Sequence, residues 1–347
     1  IDAARDIVSF RHFDVRTLGE RLLIRALPNQ RLIAAFGINN AFTTTEPWVH
    51  KRFVRYAVGL ITRVNVHNEE WRNLSLLGQD TLRHHLSVES GHKLRDQQQR
   101  LHLTSTVRIL CFVVVLNFLF PGVENIDLQA ARSATKGINQ LWVQSKDASR
   151  PVSKREQDRL VTKIRQMLPI NGQLYDLSGL GEQSNPLNII LPAFETLWRV
   201  VLLTYVHIAF RGISSDGPRV TTESLARGIL ADLPKHWEAL RLYPPTKRIH
   251  RATSPSIRTR IHHAPKYLLQ ISSPSTATSS SGVTTPTTSS SPFGERMIAM
   301  LLGVLFQGLG TSGTGTTIEY GDAGLDGDLH APLPTGREDA EGWHVFL

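Results

Sequence analysis

The stretch Trp237-Glu238-Ala239-Leu240-Arg241-Leu242-Tyr243-Pro244-Pro245 decides how the rest of the chain is read. Glu238 and Arg241 stand three residues apart, so on a helix they share a face and can pair directly. Pro244 and Pro245 have no N–H to continue the helix, and each forces the residue before it into an extended conformation. The expected element is a helix carrying an internal acid–base pair, closed by a rigid exit.

Working outward, the chain changes character on either side. Residues 1–40 mix polar and apolar segments without clear helical periodicity. Thr45-Glu46-Pro47 opens a helix, with Thr45 as N-cap, running through Trp48–Val64. Residues 67–100 are polar and in part helical, and 109–120 form a strongly apolar run too short to span a bilayer, expected as a buried core helix. Residues 126–146 and 153–168 read as amphipathic helices, the second with Lys154, Arg155 and Arg159 on a solvated face. Residues 185–210 read as one long buried helix, because Glu195, Arg199, His207 and Pro192 argue against a membrane span. Two further helices are expected at 221–231 and 233–242. From about 252 the pattern breaks. Residues 271–292 are almost all Ser, Thr, Pro, Ala and Gly, which cannot bury enough apolar surface to offset their ordering entropy, so 252–292 is taken as a low-complexity region expected to be disordered. Apolar helix returns at 293–309, and 310–347 reads as a Gly/Asp-rich tail.

Composition bounds the function. The chain has 347 residues, 41% hydrophobic, enough for one large domain or two ordinary ones. A single cysteine, Cys111, excludes an internal disulfide framework and suits a reducing compartment. A net charge of +9 favours nucleic acid, anionic membrane or an acidic partner, or is simply an ordinary basic surface. No aromatic-interleaved basic stripe accompanies the charge, so no nucleic-acid partner is expected. No apolar leader or anchor stands at the start, so no transmembrane segment is expected. The pairs His84-His85 and His262-His263 are adjacent, and adjacent residues do not face one another on a helix, so no zinc site follows. Gly308-Leu309-Gly310-Thr311-Ser312-Gly313 has the glycine spacing of a nucleotide loop but follows a helix instead of a strand.

Three more places combine with Glu238/Arg241. Trp48-Val49-His50-Lys51-Arg52 puts an indole N–H and a guanidinium one turn apart on a helix face. A core Trp beside an exposed Arg would look the same. Glu195-Thr196 places a carboxylate and a hydroxyl inside an apolar helix, where either is costly without a partner. A Glu195–Arg199 pair with Thr196 bonded back to its own helix would satisfy both. Phe293-Gly294-Glu295-Arg296-Met297-Ile298-Ala299 opens the apolar helix after the Ser/Thr-rich stretch.

In this order and with Leu242-Tyr243-Pro244-Pro245, the four motifs resemble the cytochrome P450 superfamily, its fungal members in particular. The resemblance spans roughly residues 35–305, with poorly matching stretches between. It implies a mainly α, P450-like helical fold, incomplete and carrying the Ser/Thr-rich insertion. Residues 1–251 would be the helical region from the C-helix to the K-helix, and 293–309 the L-helix-like segment. It implies haem, with Trp48 and Arg52 on a propionate, and Glu195 and Thr196 as the catalytic pair relaying protons to bound oxygen. Glu238 and Arg241 would be the structural ExxR pair. It further implies NADPH supplied through a partner reductase, a small apolar organic substrate, monooxygenation as the reaction, and an intracellular place, cytoplasmic or peripheral to the endoplasmic reticulum. The chain departs from the family where the axial cysteine should precede the helix at 293, since Thr284–Pro292 has none. A thiolate drives O–O cleavage, and Ser or Thr cannot replace it in that chemistry. The alternative is a haem-free, inactive P450-derived chain, either a pseudoenzyme or the translation of a misread exon. A basic binding module with a low-complexity tether is the third possibility.

Overall fold

The computed structural model describes residues 17–66, 68–90, 99–123, 125–147, 149–168, 185–211, 248–249, 262–263, 293–328, 330–331, 333–334 and 338–347. The Glu238/Arg241 segment, the helices expected at 221–231 and 233–242, and the Ser/Thr-rich stretch 271–292 lie outside the described residues. What is described is mainly α-helical, as expected.

The centre is α5 (Leu103–Leu119), the element foreseen from the apolar run. It is hydrophobic all round, and 15 of its 17 residues are buried, so every face needs a neighbour. The neighbours are α4 (Asn68–Ser90), α6 (Leu128–Gln144), α8 (Leu187–Phe194) and α9 (Leu197–Phe210). The helix α10 (Phe293–Leu309) packs on α4 and α9. Each fully buried Val, Leu or Phe of α5 contributes about 1.5–3 kcal/mol, so this helix anchors the core. It begins six residues before the apolar run because its polar first turns find tertiary partners. Leu103 N–H donates to the Trp343 carbonyl at 3.0 Å, and Thr104 Oγ1 donates to the Ala340 carbonyl.

The first forty residues hold helices where no periodicity was seen. α1 (Leu18–Ala26) starts at a capping box in which Thr17 Oγ1 accepts from Glu20 N–H and Glu20 accepts from Thr17 N–H. α2 (Gln30–Phe36) ends at Gly37, whose φ of 63° is left-handed. Both helices are short, and their amphipathic faces are interrupted by the Pro28 turn, which hides the period. α3 (Pro47–Val66) starts with proline at its first helical position. Its N-cap is Glu46 instead of Thr45, because the Glu46 carbonyl accepts from His50 N–H at 3.2 Å. Thr44 Oγ1 accepts from Glu46 N–H at 3.0 Å. α7 (Lys154–Gln166) begins at the Ser153/Glu156 capping box, with Lys154, Arg155 and Arg159 exposed as expected.

Residues 185–210 do not form one uninterrupted helix. α8 and α9 are separated at Glu195 and Thr196, three residues past Pro192. Proline cannot donate to the carbonyl four residues back, and its ring crowds that carbonyl. The orphan is the Asn188 carbonyl, and Asn40 Nδ2 donates to it at 2.9 Å. Asn188 Oδ1 in turn accepts from Asn39 N–H at 2.7 Å. Leu187–Phe210 and Arg296–Thr314 are long and apolar enough to cross a membrane, and their most apolar 18-residue stretches are 72% and 50% buried inside the fold. In the fold α8 and α9 pack on α5, and α10 packs on α4 and α9.

The segment 310–347, expected as a tail, closes the fold. β1 (Arg100–His102), β4 (Thr317–Glu319) and β5 (His344–Phe346) form an antiparallel sheet with β5 in the middle. Leu101 faces Val345, and Val345 faces Ile318. Trp343 is fully buried edge-on to Tyr320. α11 (Ala323–Gly327) caps itself through Asp322. β2 (Arg248–Ile249) and β3 (His262–His263) pair as two-residue strands.

Candidate functional site

The residues singled out from the sequence are spread over the fold. Trp48 and Arg52 lie in the first turns of α3, with Trp48 56% exposed and Arg52 half-buried. Glu195 and Thr196 lie at the α8–α9 break, Glu195 turned into the core at 5% exposure and Thr196 exposed. Neighbours on a helical backbone point about 100° apart, so a buried acid here carries the threonine outward. Glu238 and Arg241 lie outside the described residues. Cys111 sits at the middle of α5, fully buried, and burial pushes its thiol pKa far up. A buried neutral thiol behaves as a small hydrophobe.

The fold instead gathers titratable side chains at the N-terminal end of α5. A cavity of about 550 Å³ is bounded by the C-terminal turns of α4, the start of α5, one face of α6 and the segment 338–341. Arg108, 5% exposed, reaches Glu341 Oε1 at 2.6 Å while its guanidinium lies 4.3 Å from the Trp198 ring centroid. Arg132 on α6 pairs with Glu89 on α4. Burial raises the Glu89 pKa, but the hydrogen bond and charge of Arg132 outweigh this and hold it below the usual range.

Two histidines complete the lining. Thr106 Oγ1 donates to the His102 carbonyl at 3.0 Å, so its oxygen is left to accept from His85 Nε2–H at 3.1 Å. Burial, then the Arg132 charge, lower the His85 pKa to about 4. His102 Nδ1 accepts from Ser105 N–H at 3.2 Å, which caps α5. Burial and His344 lower its pKa as well. Near neutral pH both imidazoles are therefore uncharged, and Glu89 stays ionised. Neither imidazole nor Glu89 is poised near neutrality to give and take a proton.

Sequence reading missed this site. Its one local signal is the row Arg132, Thr135, Lys136, Asn139 and Gln140, which marks a polar stripe on α6 at helical spacing. Alone, such a stripe reads as a solvated face. A second cavity, of about 680 Å³, lies between Gly37, α7 and Asn185. Neither cavity is lined by Trp48, Arg52, Glu195 or Thr196. Among the described residues no cluster of three His, Cys, Asp or Glu could hold a metal ion. The His84-His85 pair divides as adjacency requires, His84 exposed and His85 buried. Gly310 ends α10 with φ 75°, so the glycine spacing at 308–313 marks a helix C-terminus, which repels phosphate.

No protein-family model matches the chain, and no curated protein or solved structure is significantly similar to it.

Proposed function

We propose that this chain is a haem-free, P450-derived helical protein, a pseudoenzyme that keeps a P450-like core without the oxygenase chemistry. The place of Cys111 carries the reading. It is the single cysteine, it lies in the middle of the central helix, and its thiol is held protonated by burial. A haem thiolate must be ionised and face an open plane beside the iron, and this residue meets neither need. The exposed Trp48 also fits poorly with a residue that should close over a propionate. The residues at hand therefore do not fit a thiolate-ligated haem.

The second reading is a haem-dependent monooxygenase of small apolar organic substrates, fed by NADPH through a reductase. One observation favours it: a carboxylate, Glu195, stands at a break in a buried apolar helix and is followed by Thr196. The resemblance calls for such an acid and alcohol side by side inside an apolar helix.

One experiment separates the two. Purified protein is mixed with haem, reduced and exposed to carbon monoxide. The first reading expects no thiolate-type Soret band, and such a band would overturn it. Haem uptake with that band would also make Glu195→Gln a direct test of the proton relay.

A further inference from the structure

The outer face of α3 differs from an ordinary solvated helix face. At about 100° per residue, Trp48, Lys51, Val54, Arg55 and Val58 fall within one arc of about 120°. All five are exposed, Trp48 at 56% and Val58 at 55%. Val49, Phe53 and Val64, on the opposite side, are buried in the core. The helix therefore turns apolar groups outward as well as inward. Exposed apolar side chains are ordinary when scattered singly, but here three stand together on one face of one helix.

Charge separates the candidate occupants of this face. α3 holds Lys51, Arg52, Arg55 and Arg63 and contains no Asp or Glu. Lys51 and Arg55 have no acid paired to them among the described residues. Lys51 lies between Trp48 and Val58 in the arc, so a dry protein contact would bury its ammonium without a partner. The cores of such contacts are depleted of charge for that reason. A nucleic acid would answer the cations but has no apolar surface along its phosphates for Val54 and Val58. A bilayer with anionic headgroups answers both demands. Lys and Arg lay their aliphatic stems along the acyl boundary and keep their charged ends among the headgroups, and an indole is favoured at that same depth.

We propose that the outer face of α3 docks on an anionic phospholipid bilayer. Trp48, Val54 and Val58 enter the boundary between headgroups and acyl chains, while Lys51 and Arg55 pair with the headgroup anions. The helix lies in the plane of the surface and does not cross it. This inference goes beyond the haem question, and its test reads lipid alone.

The test uses the full chain, co-sedimented with vesicles of phosphatidylserine and phosphatidylcholine in equal parts, or of phosphatidylcholine alone. The expected result is saturable uptake by the anionic vesicles, weakened by added salt, and far less uptake by the neutral ones. Lys51→Glu/Arg55→Glu and Trp48→Ser/Val58→Ser change exposed side chains and are checked for an unaltered circular dichroism spectrum. Each double variant should lower the partition coefficient about tenfold or more. Arg155→Glu/Arg159→Glu on the exposed face of α7 makes the same change in net charge and should stay within about threefold of the wild type, because screening confines each charge to its own surface. No uptake by the anionic vesicles, equal uptake by the neutral ones, or equal losses in the α3 and α7 charge variants would each overturn the proposal. Undiminished binding of Trp48→Ser/Val58→Ser would overturn it too. Retention on poly-L-glutamate or duplex DNA that depends on Lys51 and Arg55, without uptake by vesicles, would give the face to an acidic protein or a nucleic acid instead.

Discussion

Asn40 Nδ2 donates to the Asn188 carbonyl at 2.9 Å, the carbonyl that Pro192 leaves without its helical donor. A side chain from the loop before α3 thus completes a hydrogen bond that belongs to α8. Removing it exposes a buried carbonyl to nothing. Asn40→Ala should cost about 1–3 kcal/mol, read as a shift in the urea midpoint at unchanged slope. In a Pro192→Ala background the helix supplies its own donor, and the cost of Asn40→Ala should shrink. Equal cost in both backgrounds would remove Pro192 from the explanation.

The sheet end of α5 depends on the Arg108–Glu341 pair. Arg108 is buried and Glu341 is partly exposed, so breaking the pair is less costly than for two fully buried ions. Glu341→Ala should destabilise by about 2 kcal/mol, because Arg108 keeps its charge and loses its acid. Replacing both residues with apolar ones of similar size should recover much of that loss, as a double-mutant cycle would report.

Acid should weaken the fold through His85. In the folded chain it takes its proton only near pH 4, against 6.5 as its ordinary value. Between those values the unfolded chain binds more protons. The stability held by neutral His85 is therefore complete above pH 6.5, falls as pH drops towards 4, and changes no further below that. Its size is about 3 kcal/mol. His85→Gln keeps an N–H for Thr106 and removes the titration. The acid slope of that variant should flatten, leaving the part due to His102.

Gly308 on α10 lies against Leu82 of α4, with no room for a Cβ between them. Gly78 on α4 approaches Val304 of α10 less closely, where an added Cβ would stand 3.2 Å from Val304 Cγ2. Alanine raises helix propensity, so on propensity alone Gly308→Ala would stabilise. Overpacking should win here, with a net loss of about 1–2 kcal/mol in thermal or urea unfolding. A more stable Gly308→Ala variant would show that α4 and α10 separate easily.

Cys111 should be silent in the native state. A thiol reagent should modify it at the rate of global unfolding and no faster, because burial keeps it protonated and out of reach. Rapid labelling in native buffer would place it elsewhere.

Much of this architecture is legible in the residues. α7 is written out in full by Ser153, Glu156 and the apolar trio Leu160, Val161 and Ile164. The central helix is announced by its apolar run, but its first two turns are not. Thr104, Thr106 and Arg108 read as solvent-facing until Ala340, His102 and Glu341 arrive as partners. α1 carried a readable Thr17-x-x-Glu20 signal whose weight was hidden by its shortness. Glu195 is buried as its apolar surroundings suggested, while Thr196 turns the other way, an outcome set by where the helix breaks. The polar cavity was invisible because its stripe on α6 becomes an interior wall only when α4 and the segment 338–341 cover it.

The middle strand of the sheet is β5, so the fold waits for it. Until Trp343 and its strand emerge from the ribosome, β1 has no partner and the first N–H of α5 has no acceptor. A nascent chain would therefore hold its central helix half-closed until the segment 310–347 has been made, an interval when aggregation competes with folding. Translation rate and chaperone supply, more than equilibrium stability, should govern how much of this protein a cell accumulates.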